Sequence, residues 1–198
     1  MKNMKHPPII LASNSPRRYQ LLTQIRIDFS VIPSDVDEDF SLTLPPEAFT
    51  EHWAREKAKN VATKHPDKWI IGADTIVSLD GKIFGKPKSQ NDSFNMLSAL
   101  SGKTHEVITG VSIIGLNSDI DLTFNERTFV SFKTLTDSDI RYYYKNYNPI
   151  DKAGSYGIQD WFSVHIHKID GCYFNVMGFP LSAFHTQFKT LLSLNISS

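Results

Sequence analysis

The stretch Ile9-Ile-Leu-Ala-Ser-Asn-Ser-Pro-Arg-Arg18 predicts a short buried strand, a tight turn and the first turn of a helix. The apolar residues 9–12 are typical of a short buried strand. Ser15 followed by Pro16 is typical of a helix start, because serine caps free amides and proline lacks the N–H that this position leaves unpaired. The start of a helix presents free N–H groups and the positive end of its dipole, which favour an anion.

The same turn carries polar groups that match a phosphate. Ser13 and Ser15 supply hydroxyls, and Arg17 and Arg18 supply guanidinium groups, which bind phosphate oxygens in a bidentate manner. Taken alone, the pattern still favours an ordinary helix start, since serine–proline begins many helices and exposed arginines are common. A phosphate site at this turn therefore needs partners elsewhere in the chain.

Composition limits the classes of protein to consider. The 198 residues suit one compact domain, or two lobes that share a cleft. Lys and Arg number 21, as do Asp and Glu, so no overall charge favours nucleic acid or an anionic membrane. The single Cys172 allows no internal disulfide and fits a reducing compartment. Without a recognisable signal peptide or an apolar run long enough for a membrane span, we expect a cytoplasmic protein.

Two predicted elements place a charged residue among apolar ones. The helix predicted over residues 47–64 has a broad apolar arc, and Lys57 lies near the middle of it. Asp74 interrupts the apolar strand Trp69–Leu79. A buried lone charge is costly, so each residue is expected to have a partner. The alternatives are a lysine that extends along the helix edge to solvent and an aspartate in a structural salt bridge.

An acidic turn at residues 34–39, which includes Glu38, and a Gly-Lys-Pro turn with Lys86 add further charges. Carboxylates with lysines and arginines, without a histidine–cysteine cluster, suit Mg²⁺ or Mn²⁺ and phosphate chemistry. The cation would bridge carboxylate and phosphate oxygens, and Asp74 could orient or deprotonate an attacking water. The chain lacks the motifs of a P-loop ATPase, a dinucleotide-binding domain and a serine hydrolase.

The remaining chain alternates between helical and extended patterns. The predicted elements are a strand at 29–33, a helix at 89–100, long β segments at 105–116 and 120–135, a short helix after Thr136, strands at 155–159 and 162–169, and a final helix after Pro180. This order predicts an α/β (mixed α+β) fold with a twisted mixed sheet flanked by helices. His165 and His167 are expected on the solvated face of the last strand.

Seven short motifs occur in order along the chain: Leu11-Ala-Ser-Asn-Ser-Pro-Arg-Arg18, Arg55-Glu-Lys-Ala58, Gly72-Ala-Asp-Thr-Ile-Val77, Gly85-Lys-Pro87, Leu100-Ser-Gly102, Asp151-Lys-Ala-Gly-Ser-Tyr-Gly-Ile-Gln159 and Asn175-Val-Met-Gly-Phe-Pro-Leu181. Together they resemble the Maf family of nucleoside triphosphate pyrophosphatases. The resemblance covers nearly the whole chain. It implies a single domain over residues 7–195 with two lobes around a central cleft, a Maf/ITPase-like fold.

The resemblance also implies an activity, the hydrolysis of dTTP and UTP to the monophosphate and pyrophosphate with a divalent cation, Mg²⁺ or Mn²⁺. The residues that it implicates are Asp74 as proton acceptor, Lys57 and Lys86 as further catalytic residues, Glu38 and Asp74 as metal ligands, and Ser13, Ser15, Arg17, Arg18, Thr75 and Gln159 as substrate-binding residues. Arg17, Thr75 and Gln159 are linked to substrate choice. The resemblance is compatible with a homodimer, and we expect no nucleic-acid or membrane partner.

Gln159 is the candidate for recognition of the base, because its amide offers the donor and the acceptor that a uracil or thymine edge requires. Asp160 follows it where glycine is common in the family. Either this acidic residue alters the preferred base or it is a solvated turn residue, and the second interpretation is slightly favoured. The alternatives for function are a modified pyrimidine or 7-methyl-GTP as substrate, and a nucleotide-binding regulator of cell division and septum formation.

Overall fold

A mixed β-sheet of seven strands forms the centre of residues 6–195, the part of the chain that this computed structural model describes. The strands are β1 (Ile9–Leu11), β2 (Phe29–Val31), β3 (Trp69–Leu79), β4 (Lys82–Phe84), β5 (Thr104–Gly115), β6 (Ile120–Phe132) and β7 (Ile166–Asp170). The helices are α1 (Pro16–Gln24), α2 (Pro46–Ala62), α3 (Gln90–Leu100), α4 (Asp137–Tyr147), α5 (Tyr173–Val176) and α6 (Leu181–Asn195). The predicted α/β class, with a mixed sheet flanked by helices, is confirmed.

The two edges of β3 are paired differently, and this difference opens the cleft. Along one edge β3 pairs with antiparallel β5 from Ile70 to Ser78. Along the other edge, parallel β1 pairs only with residues 69–71 and antiparallel β4 only with residues 77–79. Neither β1 nor β4 pairs with residues 72–76. The middle of β3 therefore borders a gap between β1 and β4.

Side chains of β3 alternate between the two faces of the sheet. Ile70 and Ile76 pack on the face that α2 covers, and Asp74 shares their side. Trp69 and Ile71 pack on the opposite face with α1 and α6, and farther along the sheet a separate cluster joins β3 to α3 and α4. Consecutive side chains of β3 therefore lie on opposite faces of the sheet.

Helix α2 lies unusually close to β3 at Gly72. A Cβ atom at Gly72 would lie 2.2 Å from the carbonyl oxygen of Ala54 and 2.8 Å from the amide nitrogen of Ala58. No larger side chain fits without displacing the helix backbone. Because Lys57 belongs to this stretch of α2 and Asp74 follows Gly72 on the same face, the close packing brings their side chains within reach of each other.

The predicted strands at 155–159 and 162–169 are wrong, apart from the last part of the second. Residues 153–155 and 161–165 form short 3-10 helices, and β7 begins only at Ile166. Ser155 has a left-handed backbone (φ 63°), which a regular strand does not allow. His165 is likewise not on a solvated strand face, since its ring packs against Trp161 and Phe162.

Within residues 6–195, no helix is both long enough and apolar enough to span a membrane.

Candidate active site

A cleft beside the middle of β3 has a volume of about 540 Å³, within the usual range for a small-molecule site. Its walls come from the β1–α1 turn, the loop before α2, the middle of β3 and the segment 151–160. Every residue predicted as catalytic, metal-binding or substrate-binding lines it: Ser13, Ser15, Arg17, Arg18, Glu38, Lys57, Asp74, Thr75, Lys86 and Gln159. Tertiary structure thus brings together residues that are spread over most of the sequence.

Lys57 binds two carboxylates at the floor of the cleft. Its Nζ donates to Oδ1 of Asp74 at 2.7 Å and to Oε1 of Glu38 at 2.5 Å. The side chain of Lys57 is 12% exposed and that of Asp74 is 5% exposed. Lys57 therefore does not extend along the helix edge to solvent, and the partner that Asp74 needs is this lysine.

The environment separates the proton affinities of the two carboxylates. Burial raises the pKa of Asp74; Lys57 opposes this effect, and the nearby charge of Glu38 adds to it. Burial also acts to raise the pKa of Glu38, but the ion pair and hydrogen bond from Lys57, together with the nearby charge of Lys86, outweigh it and lower the pKa. Oδ2 of Asp74 is buried and accepts no hydrogen bond from any described residue. Asp74 thus combines a raised pKa with a free acceptor, as a general base requires.

The fit of a divalent cation can be judged from these oxygens. Nowhere in residues 6–195 do three or more His, Cys, Asp or Glu side chains converge as a ready-made metal site. Mg²⁺ is commonly bound through one or two carboxylates together with phosphate oxygens of the substrate. Asp74 and Glu38, both bonded to Lys57, match that pattern. The residues fit a cation that arrives with a phosphate-bearing ligand.

The hydroxyls of the β1–α1 turn organise the start of α1. Oγ of Ser15 accepts from the backbone N–H of Arg18 at 3.4 Å and caps the helix, as predicted. Oγ of Ser13 accepts from the N–H of Ser15 at 3.2 Å and from Nη1 of Arg18 at 3.3 Å. Both hydroxyls therefore shape the turn that lines the cleft, and this turn presents the positive end of the helix dipole there.

Arg18 connects α1 to the central strand and to the segment before α6. Its Nε donates to the carbonyl of Gly178 at 2.9 Å, and its Nη2 donates to Oγ1 of Thr75 at 3.0 Å. Oγ1 of Thr75 also shares a hydrogen bond with Oγ1 of Thr109 at 3.0 Å. Thr109, on β5, was missed by the sequence analysis, and no local pattern marks it. Arg18 is held in place by three parts of the fold.

Arg17 forms an ion pair with the segment that leads to the base-recognition candidate. Its Nη1 lies 2.8 Å from Oδ2 of Asp151, and its Nη2 donates to the Asp151 carbonyl at 3.2 Å. Nζ of Lys152 donates to Oδ1 of the same carboxylate at 2.8 Å. Asp151 and Lys152 line the cleft and were not predicted as site residues, although they begin one of the seven motifs. A polyanionic ligand would compete with the Asp151 carboxylate for Arg17 and for Lys152.

Part of the cleft lining is apolar. It includes Val77, Val107, Tyr156 and Ile158, and the exposed Gln159 lines the same cleft. Oη of Tyr156 shares a hydrogen bond of 2.9 Å with Nε2 of His105, which lies buried beneath it. Apolar side chains and an amide in one cleft suit the ring and the polar edge of a nucleobase.

His105 is expected to make stability depend on pH. Burial lowers its pKa to about 4, whereas an unfolded histidine titrates at about 6.5. The unfolded state therefore binds more protons between these values, and the free energy of unfolding should fall by about 2 kcal/mol from pH 7 to pH 5. Urea unfolding at the two pH values measures this. In His105→Gln the side chain does not titrate, so an equal fall in the variant would contradict the assignment.

Over residues 8–191 the chain matches the protein family described as Maf-like protein. A protein named dTTP/UTP pyrophosphatase from Ruminiclostridium cellulolyticum is 46% identical over 175 residues, covering 88% of this chain and 91% of that protein. The protein of the same name from Phocaeicola vulgatus is 45% identical over 195 residues, covering 96% of this chain and 100% of that protein. Among solved structures, the Staphylococcus aureus Ham1 protein has a TM-score of 0.46 and 19% identity, covering 63% of this chain and 71% of that chain.

Proposed function

This chain belongs to the Maf family, and on that premise we propose that it is a pyrophosphatase that hydrolyses dTTP and UTP to the nucleoside monophosphate and pyrophosphate. The observation that carries the proposal is the buried Asp74, bonded to Lys57 through one oxygen and free at the other, in a cleft lined by arginines and a helix start. Relatives with the name dTTP/UTP pyrophosphatase, at about 45% identity over nearly the whole chain, support the choice of substrate.

In this reaction a water oxygen forms a bond to the α-phosphorus while the bond from that phosphorus to the oxygen bridging the α- and β-phosphates breaks. Asp74 takes the proton of the attacking water on its free Oδ2, and pyrophosphate leaves with the bridging oxygen. Lys57 orients the Asp74 carboxylate through its bond to Oδ1. Lys86 and the arginines at the start of α1 offset the negative charge of the phosphates.

A divalent cation, Mg²⁺ or Mn²⁺, is part of the proposal. Glu38 and Asp74 would bind it together with the triphosphate, and it would neutralise phosphate charge and polarise the phosphoryl oxygens when bound. Nζ of Lys57 already lies against both carboxylates, so the lysine keeps the two side chains close enough to share one ligand.

We further propose that Gln159 recognises the base. Gln159→Glu replaces the amide donor with a second acceptor, so one hydrogen bond to uracil or thymine is lost. We expect kcat/KM for dTTP and UTP to fall about 10- to 100-fold, and more than kcat/KM for triphosphates with other bases. Steady-state assays with each nucleotide measure this. An equal fall for every nucleotide would remove Gln159 from base recognition.

The experiment that tests the function is a panel of nucleoside triphosphates assayed for pyrophosphate release with Mg²⁺, with Mn²⁺ and after chelation. dTTP and UTP should react fastest, and chelation should abolish turnover. Preference for 7-methyl-GTP would contradict the proposed substrates. Full activity without a divalent cation would contradict the proposed metal requirement. Binding of nucleotides without any pyrophosphate release would favour a regulatory protein instead.

The location and assembly belong to the same proposal. A cytosolic enzyme fits nucleoside triphosphate substrates and the single Cys172, whose thiol suits a reducing compartment. A homodimer is the assembly to be tested by size-exclusion chromatography with light scattering.

A further inference from the structure

One hydroxyl joins the two ends of the tight turn that contains Gln159. The backbone N–H of Gly157 donates to Oη of Tyr143 at 2.9 Å, and the same Oη donates to Oδ2 of Asp160 at 2.9 Å. The other oxygen of Asp160 accepts from the N–H of Phe162 at 3.0 Å. Tyr143 lies on α4, a separate element, so an outside group closes this turn.

Asp160 is therefore not the solvated turn residue that the sequence analysis favoured. Its carboxylate caps the 3-10 helix at residues 161–165 and packs against Gly157, where a Cβ atom would lie 2.4 Å from Oδ2. A side chain at residue 157 would therefore have to displace the Asp160 carboxylate. The acidic residue after Gln159 thus has a structural role in shaping the turn.

Tyr143 is suited to hold such a turn in one conformation. It is fully buried, and its ring stacks on Tyr147 and packs against Phe162. Burial, together with the nearby charge of Asp160, raises its pKa, so the hydroxyl keeps its proton and remains a donor. A phenol donates one hydrogen bond, and Tyr143 directs it to Asp160.

The Gln159 side chain is exposed, and it makes no hydrogen bond to any described residue. The backbone of the turn therefore sets where this side chain starts, and with it the part of the cleft that the amide can reach. A turn that relaxes would leave the amide free to point away from the base, and an imprecisely placed polar group contributes little to discrimination.

We propose that Tyr143 and Asp160 are positioning residues for substrate specificity, which close the turn at residues 157–160 and so aim the Gln159 amide at the base. This inference rests on the proposed function, because it assigns the recognition of uracil or thymine to Gln159. The chemical step is carried by residues of α2 and β3 instead. Loss of the Tyr143 hydroxyl should therefore raise KM and relax base preference while kcat changes little.

Tyr143→Phe tests this, because it removes the hydroxyl and keeps the ring that packs in the core. We expect KM for dTTP and UTP to rise about tenfold, the preference for dTTP over dCTP to fall by a similar factor, and kcat to stay within about twofold. Tyr147→Phe is the matched control, since it removes a hydroxyl from the stacked neighbour on the same helix. It should leave KM and base preference unchanged.

Asp160→Ala tests the same turn by removing the carboxylate that accepts from Tyr143. Thermal unfolding of each variant shows whether it folds. Because both residues act through one turn, the double variant should lose no more base preference than the more affected single variant. If either variant folds and keeps the wild-type base preference, the inference is wrong. It is also wrong if kcat falls equally for all nucleotides. Wild-type protein inactive on dTTP and UTP would instead overturn the proposed function.

Discussion

Asp74→Asn is expected to lower kcat/KM for dTTP about a thousandfold, the range that general-base catalysis supplies, while the protein still folds. The asparagine has nearly the same shape and can still accept the bond from Lys57, but its amide cannot take a proton from water. Burial raises the pKa of Asp74, which means that folding disfavours its charged form. Replacing it with a neutral side chain should therefore cost little stability.

Pyrophosphate release and thermal unfolding of Asp74→Asn measure the two effects separately. Asp121→Asn is the matched control, because Asp121 forms an ion pair with Arg55 outside the cleft. This control should retain the wild-type rate. If Asp74→Asn kept a rate within tenfold of the wild type, Asp74 would not be the proton acceptor.

Lys57→Met is expected to lower kcat/KM about a hundredfold and to cost about 3 kcal/mol of stability, because removing one member of a buried ion pair leaves the other charge without a partner. Asp74 and Glu38 would then face each other without the ammonium that lies between them. Without this cation the pKa of Asp74 rises further, so a larger fraction of the base is protonated at neutral pH.

The measurements are steady-state kinetics and urea unfolding, with Lys59→Met as the control. Lys59 lies on the same helix but is exposed to solvent, so its loss should change neither rate nor stability noticeably. An unchanged rate in Lys57→Met would show that the lysine only offsets buried charge and does not support catalysis.

The elements that carry the site were predictable because their signals are local. The Ser15–Pro16 helix start depends on hydrogen bonds within one turn, and the strand Trp69–Leu79 has its apolar pattern within one segment. The charged residues on otherwise apolar faces, Lys57 and Asp74, were the strongest indication of a site from the residues alone. Such residues must meet a partner when they are buried, and here they meet each other.

The segment that carries Gln159 was not predictable in the same way. Its residue pattern is typical of a strand, but Ser155 has a left-handed backbone. The turn at residues 157–160 is closed by Tyr143, which lies on α4. A pattern within one segment contains no information about a hydroxyl that arrives from α4. The role of Asp160 was misjudged for the same reason.

By itself, the sequence determined the elements outside the segment 153–165 and the residue types that enter the cleft, since capping and apolar periodicity depend on neighbours along the chain. Only the tertiary structure decided the partners: Lys57 with both Asp74 and Glu38, Arg17 with Asp151, and Tyr143 with the turn of Gln159. Periodicity shows which face a side chain occupies, but not which distant group lies opposite. That depends on how closely α2 packs over Gly72 and on the gap that β1 and β4 leave along β3.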